Sequence, residues 1–380
     1  MKRIVLLCLF QLFALNFFAQ STISDSMSHN GIKRYYSYYV PASYDGVKAF
    51  PLVLNLHGYN SASWQQAFYG DFRPIADTAN FIVVHPDGSF QPGSTTTQFW
   101  NVGFFPSAID DVGFLERVID TISARYYINH TRVYTTGMSN GGYMSYELAC
   151  QSDRFTAIAS VTGSMTTQTV NNCNPSKPTP VMQIHGTADP TVPYTGNAGS
   201  LHIDSVVNYW VNFNNCPSTP SFDSIPNTVL TDNSTAEHYV WAQGDSNTTV
   251  EFYKVINGAH TWPGASYIIG VTCQDFKASK EIWRFFSSYG EELPLLLNVK
   301  ENEFSDFNIW PNPASDYLRF KISNQQNGFV NIYSIDGQKL ISYNYSGAEI
   351  NIDISALPAA LYVIELVTEK GRLASKFVKS

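Results

Sequence analysis

One pentapeptide, Gly137-Met138-Ser139-Asn140-Gly141, limits what this chain can fold into more than any other stretch. An apolar, β-branched run from Arg132 to Thr136 leads into it, and a helical pattern from Gly141 to Cys150 leaves it. A chain that passes from strand to helix within so few residues bends sharply. Glycines two before and two after the serine keep side chains out of that bend. Such a turn also aims a helix N-terminus at the serine hydroxyl, where the helix dipole favours negative charge. Composition alone yields a G-x-S-x-G match in roughly one chain in ten, so the weight rests on the flanking strand and helix. Without them, Ser139 is a cap on a glycine-rich turn.

The surroundings agree with the turn. From about Ile32 to Tyr289, short apolar runs alternate with helical stretches. Leu52 to Leu56, Phe81 to His85, Val133 to Thr136, Val181 to His185 and Val250 to Val255 are expected strands; Asp111 to Ser123, Gly141 to Cys150, Ser205 to Phe213 and Phe276 to Ser287 are expected helices. Strands separated by helices predict an α/β fold: a mostly parallel sheet with helices on both faces. Tyr289 to Phe304 changes character and reads as a linker. Asn308 to Ser380 is strand-like throughout, with Asp336-Gly337 as a hairpin signal. A chain of 380 residues is long enough for two domains. The expected division is a signal peptide at 1–19, the α/β domain at 20–289, a linker at 290–304 and a small antiparallel β-sandwich at 305–380.

Lys2 and Arg3, the apolar stretch Ile4 to Phe18 and the small Ala19 have the order of an export signal. No later segment is long and apolar enough to cross a bilayer as a helix. Formal charge is −8; removing Lys2 and Arg3 leaves 21 basic against 31 acidic residues, or −10. With no basic stripe, a nucleic-acid partner is not expected. Loss of Cys8 with the signal leaves Cys150, Cys173, Cys216 and Cys273, an even set in an exported chain. Four cysteines allow three pairings, and sequence does not choose among them. The expectation is Cys150–Cys173 and Cys216–Cys273. A zinc site is the alternative, although no C-x-x-C spacing occurs.

A serine nucleophile needs a base, and the base needs an orienting acid. Asp189, in His185-Gly186-Thr187-Ala188-Asp189-Pro190, follows an expected core strand at its carboxyl end, where open α/β sheets place ligands. A turn aspartate before proline is the plainer reading. His260 lies in Asn257-Gly258-Ala259-His260-Thr261-Trp262-Pro263-Gly264, just past another expected strand. Its rivals are His202, too soon after Asp189 and at a helix start, and His238, inside a strand-like run. Ser139, Asp189 and His260 are therefore the candidate triad. Asn140, after the serine, and Tyr59, in His57-Gly58-Tyr59-Asn60, are the candidate amide donors to an oxyanion. His57 precedes the serine and is read as loop geometry. Trp262 and Trp100 are candidate walls of a substrate pocket. Asp110 and Asp111 are expected to cap a helix. No metal or organic cofactor is implied.

Leu56-His57-Gly58, Asp110-Asp111-Val112-Gly113-Phe114-Leu115, Gly137 to Gly142, His185 to Asp189 and Ala259 to Gly264, in that order, resemble the polyhydroxybutyrate depolymerase and feruloyl esterase group of secreted esterases. The likeness covers about residues 32 to 289. It implies an α/β-hydrolase fold and places the family's nucleophile, acid and base on Ser139, Asp189 and His260. The implied function is a serine carboxylesterase acting on feruloyl or acetyl esters of plant polysaccharides. The alternatives are an extracellular polyhydroxybutyrate depolymerase, a peptidase on the same fold, and a non-catalytic surface-binding protein. Trp310-Pro311-Asn312-Pro313-Ala314-Ser315-Asp316, Tyr333 to Gly337, Leu361-Tyr362 and Lys376 to Lys379 resemble the sorting domain of the type IX (Por) secretion system, with Ala360 in place of a usual glycine. That likeness implies the type IX secretion machinery as a partner, and passage through periplasm and outer membrane to the cell surface or medium. A carbohydrate-binding β-module is the rival reading.

Overall fold

The computed structural model describes residues 21–291, 309–335, 339–368 and 371–380. The expected signal peptide, most of the expected linker and the Asp336-Gly337 turn lie outside the described residues.

The first part begins with strands β1 (Ser21–His29), β2 (Ile32–Val40) and β3 (Phe50–Leu56), then helices α1 (Ser63–Tyr69) and α2 (Arg73–Ala79). Strand β4 (Ile82–Pro86) and a ribbon of β5 (Ser89–Phe90) with β6 (Gln98–Phe99) follow. Next come α3 (Asp111–Ser123), β7 (Ile128–Met138), α4 (Asn140–Gln151), β8 (Ala157–Val161), α5 (Thr167–Asn172) and β9 (Val181–Gly186). The part closes with α6 (Ile203–Phe213), β10 (Ser221–Ile225), β11 (Thr235–Trp241), β12 (Val250–Ile256) and α7 (Ala278–Ser287).

Ten of these strands form one sheet in the order β1-β2-β4-β3-β7-β8-β9-β12-β11-β10. The six from β4 to β12 are parallel, and antiparallel strands flank them on both sides. Every residue of β3, β4, β8 and β9 is buried. Their unbroken apolar runs are the sequence form of a strand covered on both faces. One face packs against Phe114, Leu115 and Val118 of α3, Met144 of α4 and Trp210 of α6; the other packs against Phe72, just before α2, and Ile282, Phe285 and Phe286 of α7. The expected α/β fold is borne out. The central β8 was not among the expected elements; nor were the flanking strands β1, β2 and β10, and flanking β11 was read only as the strand-like run around His238. The half-exposed, polar-rich sequences of the flanking strands lack the apolar run that marks the centre.

Strands β13 (Ile309–Trp310), β14 (Tyr317–Ser334), β15 (Lys339–Asp353), β16 (Ala360–Thr368) and β17 (Gly371–Lys379) form a separate antiparallel sheet. A bridge from Ala314 to Lys379 draws its ends together round a core of Leu318, Phe320, Val330, Ile332, Ile364 and Phe377.

The cysteine expectation is half right. Cys150 at the end of α4 is bonded to Cys173 after α5. Cys216 and Cys273 are unpaired, which corrects the second expected bridge. Cys216 lies by Gly244, near the start of β12, whereas the carbonyl of Cys273 accepts from Gly264 in the loop beyond its end. A seven-residue strand is about 20 Å long, and a disulfide requires Cα atoms within roughly 7 Å.

Candidate active site

Parallel strands deliver their carboxyl ends to one edge of the sheet, so the loops after β3, β7, β9 and β12 gather there. Those loops hold His57 to Tyr59, Ser139, Asp189 and His260.

Ser139 stands between β7 and α4 with φ 55° and ψ −122°, outside the favoured regions for an L-residue. Its amide donates to the Val161 carbonyl at 2.8 Å, and its own carbonyl accepts from Tyr143 at 3.0 Å. The flanking glycines are required by contact. A Cβ on Gly137 would lie 2.6 Å from Gly141 backbone atoms, and one on Gly141 would lie 2.2 Å from the Leu56 carbonyl oxygen.

Asp189 is buried and bonded through both carboxylate oxygens. Oδ1 accepts from the amides of Thr191 (2.8 Å) and Val192 (2.9 Å), and Oδ2 accepts from Nδ1 of His260 at 2.7 Å. This bond puts the imidazole proton on Nδ1 and leaves Nε2 of His260 as the basic nitrogen. The His260 side chain is 17% exposed. The neighbouring His185 is fully buried, and burial pushes its imidazole down to about 4, so it stays neutral at physiological pH.

The loop after β3 abuts the serine: a Cβ on Gly58 would sit 3.4 Å from the Ser139 Cβ. His57 is structural, as expected. Its Nε2 accepts from the Gly88 amide at 2.8 Å, so Nδ1 carries the proton and donates to the Gly58 carbonyl at 2.7 Å. Burial holds its imidazole below the usual range. Asp110 caps α3 through the Gly113 amide, whereas Asp111 forms a buried ion pair with Arg34 at 2.6 Å. Asp111 therefore departs from the capping role expected for both.

The two tryptophans depart from their expected role as pocket walls. Trp100 has 0% exposure and Trp262 1%, so neither presents a ring to a substrate. Trp100 acts as a clamp inside the site. Its amide donates to Oδ1 of Asn140 (2.6 Å), its carbonyl accepts from Nδ2 of Asn140 (3.1 Å), and its indole donates to the His57 carbonyl (2.9 Å). It thereby ties the turn at Ser139 to the loop carrying Tyr59. Trp262 pins the His260 loop to α7 through Ser279 and packs edge-on against Phe72. Exposed rings near the serine come instead from Tyr59, Phe104 and Phe105. Tyr59 lies 6.2 Å from Phe105, and Phe104 lies 4.9 Å from Tyr143, one helical turn after Ser139. Sequence reasoning missed Phe104 and Phe105; the only signal was an apolar pair in a loop.

This sheet order with a strand–serine–helix turn defines the α/β-hydrolase fold. Comparison with known proteins agrees. An acetyl xylan esterase from Aspergillus awamori superposes with a TM-score of 0.52 at 14% identity, covering 70% of this chain and 99% of its own. Residues 109–172, which span α3 to α5, match the model of the prolyl oligopeptidase family. Residues 308–380 match the secretion system C-terminal sorting domain, a mark of secretion. Among curated proteins, the chain is 26% identical over 275 residues to the bifunctional acetylxylan esterase/xylanase XynS20E of Neocallimastix patriciarum, covering 72% of this chain and 36% of that one. It is 28% identical over 194 residues to feruloyl esterase B of Piromyces equi, covering 47% and 35%. A putative esterase, NocK of Nocardia uniformis subsp. tsuyamanensis, is 25% identical over 243 residues, covering 58% and 70%. The chain thus spans about a third of the length of the first two of these relatives.

Proposed function

We propose that this chain is a secreted serine carboxylesterase acting on feruloyl or acetyl esters of plant cell-wall polysaccharides. The observation that carries the reading is the buried Asp189–His260 bond at the sheet edge where the strained Ser139 turn ends β7. In the proposed reaction, Nε2 of His260 takes the Ser139 hydroxyl proton as Oγ attacks the ester carbonyl. The amides of Asn140 and Tyr59 hold the oxyanion, each contributing about 10²–10³ in kcat. His260 then protonates the departing alcohol, and water releases the acyl group by the same steps in reverse.

Exposed Tyr59, Phe104 and Phe105 favour a planar aromatic acyl group over acetyl. Residues 20–289 would form the esterase unit and 305–380 the unit that directs the chain through type IX secretion to the cell surface or medium. A second reading, an extracellular polyhydroxybutyrate depolymerase, is favoured by one observation. Trp64 and Phe68 on α1 and Tyr267 to Ile269 on the loop after His260 are exposed and apolar, and suit a polyester surface.

Methyl ferulate, acetylated xylan and polyhydroxybutyrate tested side by side separate the two readings, and cleavage of the polyester alone reverses their order. Ser139→Ala is expected to lower kcat at least 10⁴-fold and abolish labelling by a fluorophosphonate. Full activity in that variant refutes the mechanism.

A further inference from the structure

Beneath the Asp189–His260 pair runs a line of buried polar groups that the proposed reaction does not use. Tyr146 on α4 and Gln183 and His185 on β9 each have 0% exposure. The Tyr146 hydroxyl donates to Oε1 of Gln183 at 2.6 Å. Nε2 of Gln183 donates to the Gly163 carbonyl at 2.8 Å and to Nδ1 of His185 at 3.0 Å. Nε2 of His185 lies 2.9 Å from the Val192 carbonyl and 3.5 Å from Oδ2 of Asp189.

The direction of these bonds is determined. A carbonyl only accepts, so the His185 proton sits on Nε2 and Nδ1 is free to accept from Gln183. The Gln183 amide is then fixed with its oxygen toward Tyr146. The line ends on Val192, whose own amide donates to Oδ1 of Asp189. A glutamine and a histidine in the middle of a fully buried strand are costly unless every polar atom is bonded. Apolar residues of similar size would fill the same space without that cost, so packing alone does not account for the pair.

Resting on the triad reading above, we propose that His185 is a positioning residue for the acid of the triad. Its Nε2–H, oriented by Gln183 and Tyr146, holds the Val192 carbonyl and so fixes the turn that keeps one Asp189 oxygen on backbone amides and the other on His260. The line starts on α4, the helix that Ser139 opens, and ends at Asp189. It therefore couples the placement of the nucleophile to that of the acid.

The test uses the full-length protein and hydrolysis of 4-nitrophenyl acetate, with rates normalised to sites titrated by a fluorophosphonate. His185→Leu is expected to lower kcat about 100-fold per titrated site and leave KM within about twofold. His185→Gln, which returns an N–H at similar reach, is expected to recover most of that loss. A kcat per site within about threefold of wild type in His185→Leu, or a Gln variant no better than Leu, overturns the assignment. If His185→Leu yields no folded protein, the double variant Tyr146→Phe/Gln183→Met decides. It removes the Tyr146–Gln183 bond with both its partners and takes the Gln183 donor away from Nδ1 of His185 and from the Gly163 carbonyl; it is expected to lower kcat about tenfold with KM unchanged, and an unchanged kcat overturns the proposal. A wild type inert on every ester refutes the esterase reading itself. An active wild type with unaffected variants removes only the role of His185.

Discussion

The carboxyl edge of the ten-stranded sheet and the core of the C-terminal sheet are built on opposite principles. Asn55, His57, Asn140, Gln183, His185 and Asp189 are all buried at or just below the first. In the second, Asn331 is the only buried polar residue among the described residues. Buried polar groups cost stability unless each is bonded, whereas an apolar core needs only shape and volume. The first region accepts that cost and a strained serine to hold donors and acceptors in fixed directions. The second carries no comparable cluster among the described residues. Buried polar pairs occur elsewhere in the first part as well, as in Arg34–Asp111 and Thr179–Asn214, but the carboxyl edge is where they meet the strained serine.

The contrast is open to direct attack. The largest effect is expected for Asp189→Asn. An amide in place of the carboxylate offers an N–H to Nδ1 of His260 and moves the imidazole proton to Nε2, where it blocks the base. Kcat should fall about 10⁴-fold while thermal unfolding changes little. A loss smaller than tenfold would mean that the polar edge is not a catalytic device. Next, Ile364→Ala in the C-terminal core should cost about 3 kcal/mol in that sheet's unfolding and leave hydrolysis within twofold. Calorimetry paired with an ester assay checks this, and a matching fall in rate would join what the comparison separates. Smallest is Trp100→Phe, which keeps a buried ring and deletes the bond to the His57 carbonyl. A tenfold fall in kcat with little change in KM is expected. A large KM change instead would mark Trp100 as a residue that meets substrate.

Much of the fold was legible because its signals are local. The apolar runs at 52–56 and 181–185 identify central strands, and Gly137 and Gly141 announce a sharp turn. The orders Ser139, Asp189, His260 and strand, helix, strand point to one edge of a parallel sheet. The flanking strands were less legible, since an edge strand needs no continuous apolar face. Several strand and helix limits moved by one or two residues, as at Ile82–Pro86 and Ala278–Ser287, because terminal turns depend on what they meet, whereas the strand expected over Val133 to Thr136 runs from Ile128 to Met138.

By itself the sequence determined where strands end and which reactive side chains follow them, because periodicity and turn chemistry act over a few residues. Only the tertiary structure decided that Cys216 and Cys273 stay at opposite ends of β12, that Trp100 and Trp262 turn inward, and that His185 is tied to Val192. Those outcomes depend on which face and which end of the sheet each residue occupies. That is set by packing among segments tens of residues apart, and no local pattern encodes it.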